Sequence, residues 1–233
     1  MPVTVEATSH RLRLLASKPP GSLLIHEIYR SIQGESTFAG LPCVMVRLAV
    51  CNLRCRWCDT PHAFNQGEPL TPDDILPKVL AYHCPLVEIT GGEPLLQPEV
   101  FPLMTRLSDA GLTVLLETSG AEDVRPGDRR VHIIMDLKCP GSGESAHNRL
   151  SNLDHLKPTD QIKFVIADRA DFDWATDQVR RHRLTDRFQI LFSTVFGELD
   201  ATTLAEWILA SNLPVRLQLQ LHKYLWDPQA RGV

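Results

Sequence analysis

Short apolar runs recur along the chain, and polar segments rich in proline and glycine separate many of them. Most of these runs are continuously apolar, which is typical of strands in a parallel sheet that is covered on both faces. The last run alternates apolar and polar residues and therefore indicates an edge strand. Eight strands are predicted in this way, at 23–29, 43–49, 86–90, 112–118, 131–137, 162–167, 188–194 and 215–221.

Four segments between these runs have helical patterns. The first opens with TPDD (71–74), which supplies an N-cap, a first-turn proline and two acids that favour the positive end of the helix dipole. The other helices are predicted at 98–111, 170–183 and 200–211, and the first of these three is closed by a glycine.

Helices are missing from two connections, 119–130 and 138–160, which are polar and rich in glycine and proline. The remaining alternation of strands and helices predicts an α/β fold. We expect a partial, open (β/α) barrel of the TIM type, with a reduced number of helices and about six core strands, whose active site lies at the C-terminal ends of the strands. Residues 1–20 are expected to be a flexible N-terminal extension, and 21–233 a single domain.

Composition and charge narrow the class of protein. Hydrophobic residues make up 43% and charged residues 22% of the chain, as in ordinary globular proteins, and the formal net charge of −4 does not favour a nucleic-acid binder. The sequence contains neither the roughly 18 consecutive apolar residues of a membrane span nor a secretory signal pattern. We therefore expect a cytoplasmic protein that binds neither nucleic acid nor a membrane, and whose cysteines stay reduced.

Three of the six cysteines lie close together in CNLRCRWC (51–58). Thiolates ligate iron–sulfur clusters, and three of them would leave one iron of a four-iron cluster open to a small molecule. A closed zinc site is the alternative, because His62 follows at a suitable spacing. The remaining cysteines are not assigned to the cluster: we expect Cys43 and Cys84 in the core and Cys139 in an exposed loop.

The segment TGGEPLLQ (90–97) follows another predicted strand. Its adjacent glycines let the backbone approach a ligand closely at a strand end, although a tight turn alone would also explain them. Combined with the cysteine run, the motif resembles those of the radical S-adenosylmethionine (SAM) enzymes. Their signature of three cysteines and one aromatic residue is met by Cys51, Cys55, Trp57 and Cys58. The resemblance implies a [4Fe–4S] cluster whose open iron binds SAM, and an external electron donor of the flavodoxin or ferredoxin type.

From about residue 24 onwards the chain resembles the 7-carboxy-7-deazaguanine synthase family. The motifs that carry this resemblance are SIQGES (31–36), VRLAVCNLRCRWCDT (46–60), TGGEPLLQ (90–97), ETSG (117–120), DLKCPGS (136–142), KFVI (163–166) and LHKYLW (221–226). The resemblance implies a homodimeric lyase of queuosine biosynthesis that uses SAM catalytically, with Mg²⁺. It would convert 6-carboxy-5,6,7,8-tetrahydropterin into 7-carboxy-7-deazaguanine with loss of ammonia. The alternatives are another radical SAM enzyme, such as a glycyl-radical activase, and, outside enzymes, a Cys₃His zinc-stabilised binding module.

The same resemblance implies roles for individual residues, with Thr60 as the protein ligand of Mg²⁺. Two positions have a second interpretation: Arg47 would bind the substrate carboxylate or pair with Glu27, and His222 would bind substrate or be an ordinary buried histidine. The residues expected to bind SAM are Trp57, Asp59, Gly91, Gly92, Glu93, Ser119, Asp136, Lys138 and Ser193. The residues expected to bind substrate are Ile32, Gln33, Gly34, Glu35, Arg47, Thr90 and His222.

Overall fold

A single nine-stranded sheet forms the centre of the molecule in the computed structural model, which describes residues 11–228 and 230–233. The strands are β1 Leu23–Ile32, β2 Pro42–Leu48, β3 Glu68–Leu70, β4 Leu86–Gly91, β5 Thr113–Thr118, β6 His132–Asp136, β7 Gln161–Ile166, β8 Gln189–Thr194 and β9 Arg216–Gln218. Their order in the sheet is β3-β1-β2-β4-β5-β6-β7-β8-β9, so the sheet is not closed. All neighbours from β2 to β9 are parallel, which confirms the partial, open barrel.

Helices cover the outer face of this sheet and bury the main apolar core against it. The α-helices of the described chain are α1 Arg13–Ser17, α2 Pro72–Leu80, α3 Val100–Asp109, α4 Arg169–Arg181, α5 Ala201–Ser211 and α6 His222–Leu225. Short 3-10 helices lie at Pro61–Phe64, Pro94–Leu96, Pro140–Ser142, Ser145–His147, Leu150–Asp154 and Leu184–Asp186. Three of these lie in the predicted connection 138–160, which contains no α-helix.

The predicted start of α2 is confirmed in atomic detail. The Thr71 hydroxyl accepts a hydrogen bond from the Asp74 N–H at 3.2 Å, and the Asp74 carboxylate accepts one from the Thr71 N–H at 2.9 Å. This capping box satisfies two backbone donors that the first helical turn leaves unpaired, and such caps contribute about 1 kcal/mol. The predicted end of the next helix, α3, is also confirmed: Gly111, which follows it, has φ +83°, the left-handed conformation that a glycine adopts where a helix ends.

The first and last strands differ from the prediction. Strand β1 runs antiparallel to β2, because the connection 33–41 is shorter than the roughly dozen residues that a parallel crossover needs. The run 215–221 forms a strand only at Arg216–Gln218, although β9 is an edge as expected. Beyond it the Leu221 N–H donates to the Gly34 carbonyl at 2.9 Å, which draws the chain away from the sheet and over the loop after β1.

The first ten residues of the predicted N-terminal extension lie outside the described residues. After them Arg13–Ser17 form α1, and Lys18 pairs with Glu99 on the sheet domain at 2.8 Å. The division into an extension, 1–20, and a single domain, 21–233, stays a prediction. Within the described chain, every helix is too short or too polar to cross a bilayer.

Candidate active site

A cavity of about 480 Å³ opens at the C-terminal ends of the parallel strands. Most of the residues predicted for the site line it, and the two that do not are Glu93 and Ser193. Those that do are Ile32, Gln33, Gly34, Glu35, Arg47, Cys51, Cys55, Trp57, Cys58, Asp59, Thr60, Thr90, Gly91, Gly92, Ser119, Asp136, Lys138 and His222. The structure therefore brings the cysteine loop, the glycine turn and the polar strand ends to one place.

The cysteine loop leaves β2 through a sharp turn at Val50, which has φ +75°. A β-branched residue rarely adopts this conformation, and here hydrogen bonds hold it: the Val50 N–H donates to Ala63 O at 2.9 Å, and Val50 O accepts from the Glu93 N–H at 2.9 Å. Burial raises the pKa of the Cys51 thiol to about 12 and that of Cys55 to about 11. Both groups are therefore protonated in the protein alone, and a metal would have to displace the protons.

The three thiols and His62 are not gathered around one point as the ligands of a single zinc ion would be. Tetrahedral zinc with Zn–S bonds of about 2.3 Å holds its sulfur atoms about 3.8 Å apart. Among the residues that the structure describes, no three ligand atoms drawn from Cys51, Cys55, Cys58 and His62 lie within 4.8 Å of one another. Three thiolates without a fourth protein ligand suit a polynuclear cluster, in which each thiolate binds a different iron and one iron is left open. The cysteine donors and the open cavity beside them thus suit an iron–sulfur cluster better than a closed zinc site.

The glycine turn lies directly against the end of β2. Gly91 has φ +147°, and a Cβ there would overlap the Leu48 backbone, whereas a Cβ on Gly92 would overlap the Val50 carbonyl. The Gly92 N–H donates to Leu48 O at 3.0 Å. The two glycines are therefore required by this close approach of backbones, which also fixes the turn next to the first cysteine.

Glu93 occupies a different position from the one expected. Its side chain is fully buried outside the cavity. One carboxylate oxygen accepts from the Leu95 N–H at 3.0 Å and the Thr118 hydroxyl at 2.8 Å. The other accepts from the Ser119 N–H at 2.8 Å and the Ser119 hydroxyl at 2.5 Å. A carboxylate has about four acceptor sites, so Glu93 is saturated and acts by positioning the Ser119 loop. Ser193 is likewise buried, on β8, without reaching the cavity.

Asp136 and Lys138 lie together at the end of β6. The Lys138 ammonium is 2.8 Å from Asp136 Oδ2. Burial lowers the pKa of Lys138, but the opposing effects of Asp136 and Cys55 are larger and raise it above its ordinary value. The second oxygen, Asp136 Oδ1, is buried without a hydrogen-bond partner among the described residues. An unpaired acceptor on a residue that lines the cavity fits a site that binds a polar ligand such as SAM.

A buried group of charges on the strands β4, β5 and β7 was not predicted. Lys163 Nζ lies 2.5 Å from Glu35 Oε2, is in short contact with the Glu117 carboxylate, and is 3.9 Å from Asp136 Oδ2. Burial raises the pKa of Glu35, but Lys163 outweighs this and lowers it to about 2. Glu88, which accepts a hydrogen bond from the Gln33 amide, has a pKa well above its ordinary value because of burial and the nearby Glu117 and Glu35.

The sequence did contain a signal for these residues. Glu88, Glu117 and Lys163 each interrupt an otherwise apolar strand, as Arg47 does. A charged side chain in such a run must find a partner or a ligand in the interior. Applied to every strand, the reasoning that selected Arg47 would have selected all four.

Arg47 forms the internal pair that was the alternative to substrate binding. Its Nε donates to Glu27 Oε1 at 2.7 Å, and its Nη2 donates to the Tyr29 hydroxyl at 3.0 Å. The guanidinium nevertheless lines the cavity, with further N–H groups beyond these two bonds. The two interpretations are therefore compatible in geometry.

The C-terminal segment closes one side of the cavity. The His222 ring packs so tightly on Gly34 that a Cβ there would overlap its Nδ1 atom. Lys223 Nζ lies 3.3 Å from Asp59 Oδ2, which ties this segment to the cysteine loop, and Gln220 donates to Glu35 Oε1 at 2.8 Å. His222 is thus a partly buried residue of the cavity wall.

Comparisons with known proteins match part of the chain to a family model and most of it to individual relatives. The family model for the radical SAM superfamily matches residues 45–140. A 7-carboxy-7-deazaguanine synthase from Chlorobaculum tepidum is 49% identical over 91% of this chain and 97% of its own. A 7-carboxy-7-deazaguanine synthase from Koribacter versatilis is 46% identical over 90% of this chain and 99% of its own. Among solved structures, QueE from Escherichia coli superposes with a TM-score of 0.72 and 25% identity, covering 86% of this chain and 95% of that one.

Proposed function

Since the chain belongs to the 7-carboxy-7-deazaguanine synthase family of the radical SAM superfamily, we propose that it converts 6-carboxy-5,6,7,8-tetrahydropterin into 7-carboxy-7-deazaguanine with loss of ammonia. The reaction would supply the deazapurine core for queuosine, and the enzyme would be a carbon–nitrogen lyase. The observation that carries the proposal is the 49% identity to a relative of this name over 97% of that relative's length.

The residues of the cysteine loop would hold the iron–sulfur cluster. Cys51, Cys55 and Cys58 are the only cysteines among the described residues that line the cavity. With SAM bound, the cluster would supply the electron that generates a 5′-deoxyadenosyl radical from SAM, and SAM would be regenerated in each turnover. The protein would orient SAM through the Gly91–Gly92 backbone, Ser119, Asp136 and Lys138, which lie at neighbouring strand ends. The unpaired Asp136 Oδ1 supports this assignment.

The opposite wall of the cavity would bind the pterin. Arg47 would take its carboxylate, because a guanidinium fork matches that group. Gln33 and Glu88 offer donors and acceptors for the 2-amino-4-oxo edge of the ring, and the raised pKa of Glu88 means that this acid can donate a proton as well as accept one. Thr90 and His222 complete the enclosure.

Loss of ammonia requires that a proton reach the departing nitrogen. Burial is the main cause that raises the pKa of Glu117, outweighing the lowering effect of Lys163. A buried carboxyl group with a raised pKa keeps its proton to a higher pH than a free carboxyl group and can deliver it inside a closed site. We therefore assign the proton-holding role to Glu117.

The proposal also includes a ligand of Mg²⁺, a homodimer, an electron donor and a cellular compartment. Thr60 would ligate Mg²⁺, which takes few protein ligands, and its hydroxyl lies 3.8 Å from Cys58 Sγ. A homodimer would cover exposed apolar side chains such as Leu217 on the edge strand β9 and Tyr224 and Leu225 on α6. A flavodoxin or ferredoxin would supply electrons, and the cytoplasm would be the compartment.

The test is anaerobic turnover of the protein with its cluster reconstituted. SAM, dithionite, Mg²⁺ and 6-carboxytetrahydropterin are added, and 7-carboxy-7-deazaguanine is detected by mass. We expect product in excess of the SAM consumed, and none from Cys58→Ala. If the wild-type protein releases 5′-deoxyadenosine without the deazaguanine, the proposed substrate is wrong.

A further inference from the structure

Two histidines and a glutamate, none of which was assigned a role in the reaction, converge beside the Arg47 end of the cavity. The ligand atoms of His26, Glu27 and His62 all lie within 4.8 Å of one another. Within the described part of the chain this is the only group of three or more histidine, cysteine or acidic side chains that meets this distance. Each of the three is half-buried, so water does not fully surround them.

The local backbone explains how neighbouring residues come to share one ligand. In a regular strand His26 and Glu27 would point to opposite faces of the sheet. Here the pairing of β1 with β2 slips by one residue: Ile25 faces Leu48, and Glu27 faces Arg47. His26 is therefore the extra residue of a β-bulge, a feature that re-aims side chains next to functional sites. The bulge lets both side chains approach His62 on the 3-10 helix Pro61–Phe64.

The hydrogen bonding of His26 prepares its ring to bind a metal. Its Nδ1 lies 2.9 Å from the Gln66 carbonyl oxygen, which can only accept. In the neutral ring the proton is therefore on Nδ1, and the lone pair is on Nε2. Metal-binding histidines usually donate their second ring N–H to a carbonyl or carboxylate in this way.

The distance between the two rings matches a shared ion. Two imidazoles on one tetrahedral zinc, with Zn–N bonds of about 2.0–2.1 Å, place their ring centroids about 5 Å apart. The centroids of His26 and His62 are 5.0 Å apart and the rings are tilted by 53°. The third donor, Glu27, uses Oε1 to accept from Arg47, which leaves its other oxygen for an ion.

We propose that His26, Glu27 and His62 bind one divalent transition-metal ion of the zinc class. Two imidazoles and one carboxylate suit zinc and its neighbours rather than magnesium, and they leave a coordination position for water. Glu27 would then bridge the ion and the Arg47 guanidinium, so that the metal site adjoins the anion-binding end of the cavity. The site is separate from the cysteine loop and does not depend on the proposed reaction.

The test uses the reconstituted, cluster-containing enzyme under anaerobic conditions, with Zn²⁺ as the probe. Zinc and iron are counted per chain after dialysis against buffered Zn²⁺, and the zinc coordination is read by X-ray absorption. We expect about one zinc and about four iron atoms per chain, with a zinc coordination shell of nitrogen and oxygen at about 2.0–2.1 Å. A sulfur shell at about 2.3 Å would place the zinc on the cysteines, and no zinc uptake would leave only a packed histidine pair. Either result overturns the proposal.

A matched pair of variants locates the ion. His26→Asn keeps a donor for the Gln66 carbonyl but removes the ring Nε2, and the zinc dissociation constant should rise by about tenfold or more. His155→Asn makes the same exchange at an exposed histidine and should bind zinc like the wild type. Equal affinity in both variants would refute the site. The X-ray absorption result for the wild type decides the question independently if His26→Asn folds poorly.

Discussion

Glu93→Gln should destabilise the protein although it removes no atom from the core. The side chain is fully buried, and its carboxylate accepts the four hydrogen bonds that join it to Leu95, Thr118 and Ser119. A glutamine replaces one oxygen by an NH₂ group. In either orientation of the amide, the NH₂ group takes the place of an oxygen that accepted two hydrogen bonds. Two donors then face another donor.

The geometry sets the size of the effect. A hydroxyl can rotate to accept from the new amide, but the backbone N–H of Leu95 or Ser119 cannot turn away. At least one hydrogen bond to a charged group is therefore lost, and two are lost if the hydroxyl stays in place. With about 1.5–3 kcal/mol for each such bond, the free energy of unfolding should fall by between about 1.5 and about 6 kcal/mol.

Urea denaturation followed by circular dichroism measures this loss on the cluster-free protein, so that cluster breakdown does not make unfolding irreversible. The control is Glu206→Gln, the same exchange at an exposed residue of α5, which should lie within about 0.5 kcal/mol of the wild type. In turnover, Glu93→Gln should raise the KM for SAM, because Ser119 loses its anchor. A stability loss below about 1 kcal/mol with an unchanged m-value would refute the hydrogen-bond count.

Three further outcomes are expected. Lys163→Met leaves Glu35 and Glu117 without their buried cation and should cost about 3–5 kcal/mol in urea denaturation, whereas exposed Lys78→Met should cost little. The folded-state pKa of Glu35, about 2, lies below its ordinary 4.5, so its stabilisation is present above pH 4.5 and is lost as the pH falls towards 2. The stability difference between wild type and Glu35→Gln should therefore shrink between pH 5 and pH 3, and a constant difference would contradict the pairing. Arg47→Lys should raise the KM for the pterin about tenfold or more without changing that for SAM, and equal KM values would exclude Arg47 as the carboxylate ligand.

The sequence predicted the fold because buried parallel strands are long apolar runs, which stand out from polar loops. The direction of β1 was missed, because an apolar run carries no information about direction. The short connection 33–41 contained that information. Cys139 was also misplaced: it is buried, because the loop after β6 folds back under α4, where the Gly141 N–H donates to Asp171 at 2.8 Å. Tertiary contacts of this kind leave no local pattern.

For the site as well, contiguous motifs could be predicted from the sequence, whereas contacts between residues distant in sequence could not. The cysteine loop and the glycine turn are contiguous motifs, and both line the cavity, as do the other predicted strand-end residues apart from Glu93 and Ser193. Glu93 shares a motif with the glycines, but the spacing of a motif does not reveal which way a side chain turns. Lys163 is far in sequence from Glu35 and Glu117, and only the packing of the sheet and of the loop after β1 brings them together.

The charged interior around Lys163 is not explained by stability. Replacing a buried ion pair by apolar side chains of similar volume is often neutral or stabilising, so a chain selected only to fold has no need of these groups. The proposed substrate does explain them, because a polar bicyclic ring with a carboxylate needs donors and acceptors that are already held in place. Contacts with neighbouring side chains hold the polar groups of the cavity in place. Arg47 is an example, because its guanidinium donates to Glu27 at 2.7 Å and to Tyr29 at 3.0 Å. A substrate carboxylate must then share Arg47 with Glu27, and anything that draws charge from Glu27, including an ion on His26 and His62, would strengthen the attraction between Arg47 and the substrate.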